Sequence, residues 1–139
     1  MLDGFDYRQT VKFAEKFNRM RNGFEQWLYS FLYSRGKEFL EEVQYRTPVD
    51  TGLLEASWEL ENIVKDKRTL KLYFKNTAYY ADWVEYGHAK PYRSGAQPGS
   101  VDWVDGYFMM TTTLDEIYRE MPAKFDNEFR RYLRKFGIK

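Results

Sequence analysis

The sequence predicts an α+β fold: a small antiparallel sheet covered by a long N-terminal helix and a C-terminal helix. Apolar residues recur at helical spacing from Phe24 to Val43, alternate with polar ones from Leu54 to Phe74, and return to helical spacing from Leu114 to Phe136. Strands grouped between helices, not interleaved with them, favour segregated layers.

Asp6 to Arg19 reads as a short helix through Val11, Phe13, Ala14 and Phe17, and Asn22-Gly23 is expected to break it. Phe24, Trp27, Leu28, Phe31, Leu32, Phe39, Leu40 and Val43 then form the stripe of a long helix. It must stop near Arg46, because Pro48 disfavours the α conformation at Thr47. Leu54, Ala56, Trp58, Leu60 and Asn62 alternate with Glu55, Ser57, Glu59 and Glu61, the period of a strand with one wet face. Leu70, Leu72 and Phe74 give a second strand, with Lys65-Asp66-Lys67-Arg68 as the hairpin connection. Thr77 to Gly87 reads as a short helix or turn lying over the sheet, and His88 to Asp102, with its prolines and glycines, as a long loop. Trp103 to Met110 is a third strand or the lead into a helix; Thr111 to Glu120 is helical, Pro122 kinks or restarts it, and Gly137 caps it. The 139 residues read as one domain, 1–139: helical over 6–46, sheet and aromatic segment over 53–87, loop over 88–102, C-terminal helical over 111–136.

Several chemistries lack their residues. The chain has no cysteine, which removes disulfides and thiolate metal sites. It has one histidine, His88, too few for a typical metal site and read as a surface or interface imidazole. Asp102 and Asp105 with Glu85 read as solvated loop acids, not as a reacting cluster. No serine sits in a nucleophile motif, and Gly95 to Gly99 lacks the lysine of a phosphate loop. No catalytic, cofactor-binding or metal-binding residue is expected. Nor is any apolar run long enough to span a membrane, or any leader pattern at Met1 to Asp6, so the expectation is a soluble protein, intracellular at synthesis.

Binding surfaces are better represented. Arg130, Arg131, Arg134 and Lys135 give the C-terminal helix a basic face; it reads either as a solvated surface favoured at a helix C-terminus or as a phosphate-backbone contact. The net charge of +1 favours the first. Aromatics make up 19% of the chain, more than a small sheet can bury. Tyr79, Tyr80, Trp83, Tyr86, Tyr92 and Trp103, flanked by Glu85 and His88, therefore read as part core and part protein interface, with base stacking as the competing use. Thr47, Pro48, Asp50, Thr51 and Gly52 form a turn that stops the helix and feeds the first strand, a corner that sets the fold.

Three ordered segments carry a resemblance. Thr47-Pro48-Val49-Asp50-Thr51-Gly52-Leu53-Leu54 is followed by Ser57-Trp58; then come Asn76-Thr77-Ala78-Tyr79-Tyr80-Ala81 with Val84-Glu85-Tyr86-Gly87-His88, and Gly106-Tyr107-Phe108-Met109 before a helix. Together, over roughly residues 24 to 136, the chain resembles the small neck and tail-component proteins of long-tailed bacteriophages, although His88 stands where family members commonly have a small hydroxyl residue. The resemblance implies a structural role in joining heads to tails or completing the tail, without substrate or cofactor. It implies other neck and tail proteins as partners, a homo-oligomeric ring in the virion from a subunit that can be monomeric before assembly, and DNA passing nearby without specific binding. It also implies host cytoplasm during assembly and the virion afterwards, with no membrane. A tail-terminator ring and a nucleic-acid-binding module built on the basic helix are the competing functions.

Overall fold

In a computed structural model, which describes residues 8–90 and 102–139, the first element is a single helix, α1, Arg8–Arg46. The break expected at Asn22-Gly23 does not occur. Glycine costs a helix about 1 kcal/mol in propensity, but packing decides here. A Cβ on Gly23 would lie 2.7 Å from the Tyr132 hydroxyl, which donates to the Met20 carbonyl at 2.5 Å. The glycine makes room for a partner more than a hundred residues away.

That partner lies on the last helix, α4, Met109–Lys135. It starts two residues earlier than expected and runs through Pro122 without restarting. It ends as expected: Gly137 takes φ 70°, its N–H bonds the Arg134 carbonyl, and the Ile138 N–H bonds the Leu133 carbonyl. The two helices pack antiparallel along an aromatic seam. Trp27 meets Phe125, Phe129 and Tyr132 at ring separations of 5.3–5.4 Å, with Phe24 against Phe129 and Phe31 against Phe125. Much of the aromatic excess is spent in this seam. At the other end Arg46 reaches across to Glu116 at 2.5 Å and to the buried Thr113 hydroxyl at 2.9 Å. Midway, Arg35, 6% exposed, pairs with Glu38 and Glu128. Arg35 is buried but both carboxylates are about a third exposed, so water screens the pairing; its geometry nevertheless opposes slippage of the seam.

After the corner the chain forms a short helix, α2 (Leu53–Ala56), so the strand expected from Leu54 begins only at β1, Trp58–Leu60. The hairpin is antiparallel as expected but consists of two ladders. β1 pairs with β4 (Phe74–Asn76), Trp58 opposite Asn76 and Leu60 opposite Phe74. β2 (Val64–Asp66) pairs with β3 (Thr69–Lys71), Val64 opposite Lys71. The expected connection at Lys65 to Arg68 is thus half strand: Lys65 and Asp66 belong to β2, and the turn is Lys67-Arg68, with Lys67 at φ 56°. The first ladder, extended, would place Ile63 opposite Lys71; Val64 stands there instead. One extra residue is absorbed after Glu61, a bulge that turns Ile63 inward and leaves Asn62 exposed.

Phe39, Val43, Leu54, Trp58 and Met109 form the buried core, with Phe39 stacked on Phe74 at 3.8 Å. The aromatic segment becomes α3, Ala81–Tyr86, and runs directly into β5, Gly87–Ala89, which pairs with β6, Trp103–Asp105. Both ends of the expected loop are therefore ladder, extended by the Lys90 N–H on the Asp102 carbonyl at 2.7 Å. Residues 91–101, with Tyr92, and the start of the expected first helix at Asp6 lie outside the described residues.

Candidate functional site

At the corner, local chemistry and tertiary contact coincide. The Thr47 side chain, 3% exposed, donates to the Val43 carbonyl at 2.6 Å and accepts from the Trp58 indole N–H at 2.9 Å. This ties the last turn of α1 to the first strand residue. Gly52 takes φ 84° with open space around it, so backbone conformation alone explains its glycine. The Asn76 amide then donates to the Leu54 carbonyl at 2.9 Å while its oxygen accepts from the Ala78 N–H at 2.9 Å, joining the corner to the aromatic segment.

The two segments line one cleft of about 360 Å³, with Pro48, Asp50, Thr51 and Leu53 on one wall and Tyr79, Tyr80 and Val84 on the other. In this cleft, and close to it in sequence, rings and aliphatic groups have little cover. Tyr79 is 93% exposed and edge-on to Tyr80; Tyr45 is 88% exposed; Val49 and Leu53 are exposed as well. Tyr45, Val49 and Leu53 are surface candidates absent from the sequence reading. Tyr45 carried a signal: it is an aromatic off the Phe39/Val43 stripe, one turn before a proline.

The other candidates separate into an outer and an inner group. Trp83 (61% exposed), Tyr86 and Trp103 point outward, as do Tyr107 and Phe108. His88 stacks on Trp83 at 5.4 Å, and its Nδ1 is buried without a hydrogen-bond partner. Glu85 is turned inward and only 4% exposed. Its carboxylate accepts from the Met110 N–H at 2.9 Å, and from the Thr111 N–H and hydroxyl at 2.8 Å each. It caps α4 from outside that helix, where the adjoining residue, Phe108, supplies no side-chain cap. The capping works because two glycines let the backbones touch. A Cβ on Gly106 would fall 2.3 Å from the Glu85 carbonyl oxygen, and one on Gly87 2.4 Å from that of Val104. Asp102 and Asp105 stay exposed on the ladder, and among the described residues no group of three or more His, Asp or Glu could hold a metal ion.

Arg130, Arg131, Arg134 and Lys135 are all exposed on α4. Arg130 pairs with Asp126 at 3.3 Å, and Glu128 is committed to Arg35. No carboxylate among the described residues lies within 4 Å of Arg131, Arg134 or Lys135. No helix of the described residues is long and apolar enough to cross a membrane.

No curated protein and no solved structure matches the chain. A family model does, over residues 11–87, more than half of the chain: the HK97-gp10-like family, described as "Bacteriophage HK97-gp10, putative tail-component". The match takes in the long helix, the corner, the hairpin and the aromatic segment up to Gly87. It is a family of structural phage proteins, not of enzymes, and the cleft between corner and aromatic segment lies inside the matched region. The chain belongs to the HK97-gp10-like family of bacteriophage tail components.

Proposed function

We propose that this protein is a neck or tail-completion component acting at the head–tail junction of a long-tailed phage, by protein–protein binding and without catalysis. The supporting observation is the cleft where the corner meets the aromatic segment, lined by Leu53, Tyr79 and Tyr80, with Leu53 and Tyr79 exposed. An exposed tyrosine at such a cleft suits the anchoring of a protein partner, since binding energy concentrates in a few aromatic side chains that become desolvated. The partners are other neck and tail proteins, met in the virion, where the chain forms a ring with copies of itself. Trp83, Tyr86, His88 and Trp103 extend the same aromatic surface, whereas Glu85 holds the surface in shape by capping α4.

The test is complementation of a phage lacking this gene. Tyr79→Ala together with Leu53→Ala leaves a folded protein, and lysates accumulate separate heads and tails visible by electron microscopy. Infectious titre at the wild-type level would overturn the assignment of the cleft.

A further inference from the structure

Charge is segregated along the molecule although the whole chain is near neutral. Residues 8–21 and 126–139 contain ten basic and three acidic side chains, whereas the other described residues contain eleven basic and sixteen acidic ones. Antiparallel packing brings the two basic segments to one end: a Cβ on Gly137 would lie 3.3 Å from the Lys16 Nζ, and Tyr132 bonds Met20. At that end Arg130, Arg134 and Lys139 rim a groove of about 770 Å³ that includes Phe129, Leu133 and Ile138. Farther along the seam Glu38, Glu41, Glu42, Glu116 and Glu120 line a smaller groove on the flank of α1 and α4; Lys124 pairs with Glu38 and Glu120, Arg35 with Glu38, and Arg46 with Glu42 and Glu116, so five acids face three cations and the flank stays net negative. The carboxylates of Glu38 and Glu120 hold the Lys124 ammonium above its ordinary pKa.

These opposite charges cannot neutralise each other within one chain. Arg134 and Glu116 are eighteen residues apart on one continuous helix. At 1.5 Å per residue that is about 27 Å, well beyond the screening length of roughly 10 Å at 0.1 M salt. A second copy has no such constraint. We infer that the basic end of one copy docks on the acidic α1–α4 flank of the next, a head-to-tail contact. Because donor and acceptor surfaces differ, it propagates around a ring instead of stopping at a dimer. The inference rests on the assembly reading and names the surfaces through which copies meet.

Charge reversal tests it with side chains that are exposed and outside the core. One variant carries Arg131→Glu and Arg134→Glu, the other Glu41→Lys and Glu42→Lys, and unchanged circular dichroism and melting temperature verify folding of both. In sedimentation equilibrium the wild type self-associates at low salt and dissociates at high salt. Each variant alone associates about tenfold more weakly or worse, since like charges then face each other. An equimolar mixture recovers association, because each reversed surface meets its complement on the other variant. Wild-type protein that stays monomeric at low salt and high concentration overturns the inference, as does a mixture that fails to recover. So does an arginine variant that associates normally while losing affinity for duplex DNA, which would assign the basic end to nucleic acid. Complementation with the Tyr79 variant is independent of all these outcomes, so either conclusion can fail without the other.

Discussion

Glu85→Ala gives the sharpest test of how this surface is held. The carboxylate accepts three hydrogen bonds from the first turn of α4. Hydrogen bonds to a charged group contribute roughly 1.5–3 kcal/mol each; the three share one carboxylate and their donors are only partly buried, so the full sum does not apply. Loss of an N-terminal cap costs about 1 kcal/mol, and loss of a charge at the helix dipole up to about 2 kcal/mol. A net destabilisation of about 3 kcal/mol follows for Glu85→Ala, and about half of that for Glu85→Gln, which keeps an acceptor oxygen but no charge. Urea unfolding followed by circular dichroism measures both; with a slope near 2 kcal/mol/M, the alanine midpoint falls by about 1.5 M. Asp82→Ala, an exposed acid on the same short helix, should stay within about 0.5 kcal/mol of wild type. A Glu85→Ala midpoint indistinguishable from wild type would refute the capping argument.

Thr47→Val strips the Trp58 indole of its acceptor and should cost about 1–3 kcal/mol, recovered by Thr47→Ser and read by denaturation with Trp fluorescence. Gly106→Ala forces a Cβ into the Glu85 carbonyl, so soluble yield and stability should drop together, with a loss above about 3 kcal/mol because backbone must move. Burial raises the Tyr132 pKa, so its neutral form is favoured in the folded state. The stability this contributes is complete below the unfolded tyrosine pKa and is lost as pH rises through the higher folded value. Tyr132→Phe should therefore be less stable by about 1 kcal/mol at neutral pH, from the lost bond to Met20. The gap should narrow above pH 10, as seen in unfolding curves collected across the alkaline range.

Periodicity made the long elements legible, because a helical stripe repeats whatever the partner is. The stripe from Phe24 to Phe31 and that from Phe125 to Tyr132 became the α1–α4 seam, while the continuation of the first at Phe39 and Val43 became the core. What escaped depends on long-range contacts. Asn22-Gly23 looks like a break until Tyr132 is seen to occupy the space where a side chain would be. Glu85 looks like a loop acid until α4 starts beside it, twenty-five residues later. The bulge after Glu61 puts Ile63 and not Asn62 on the inner side, and the change of pairing register locates it. The two ends of the candidate cleft were each legible as segments. Their meeting was not, since it depends on Asn76 bonding back to Leu54. The basic helix was read by itself, and the charge segregation emerged only when antiparallel packing placed Lys16 beside Gly137.

The ladder between Gly87–Ala89 and Trp103–Asp105 bears on how such a protein can diversify. It fixes where the chain leaves at Lys90 and returns at Asp102, whatever lies between. Lengthening a closed segment costs only about 0.6 kcal/mol per doubling, so insertions and deletions between those two points are cheap for the fold. Lineages that change the shape of a neighbouring ring can retune this stretch alone, leaving the helices, corner and cap untouched. Among relatives, length variation should therefore concentrate between these two positions.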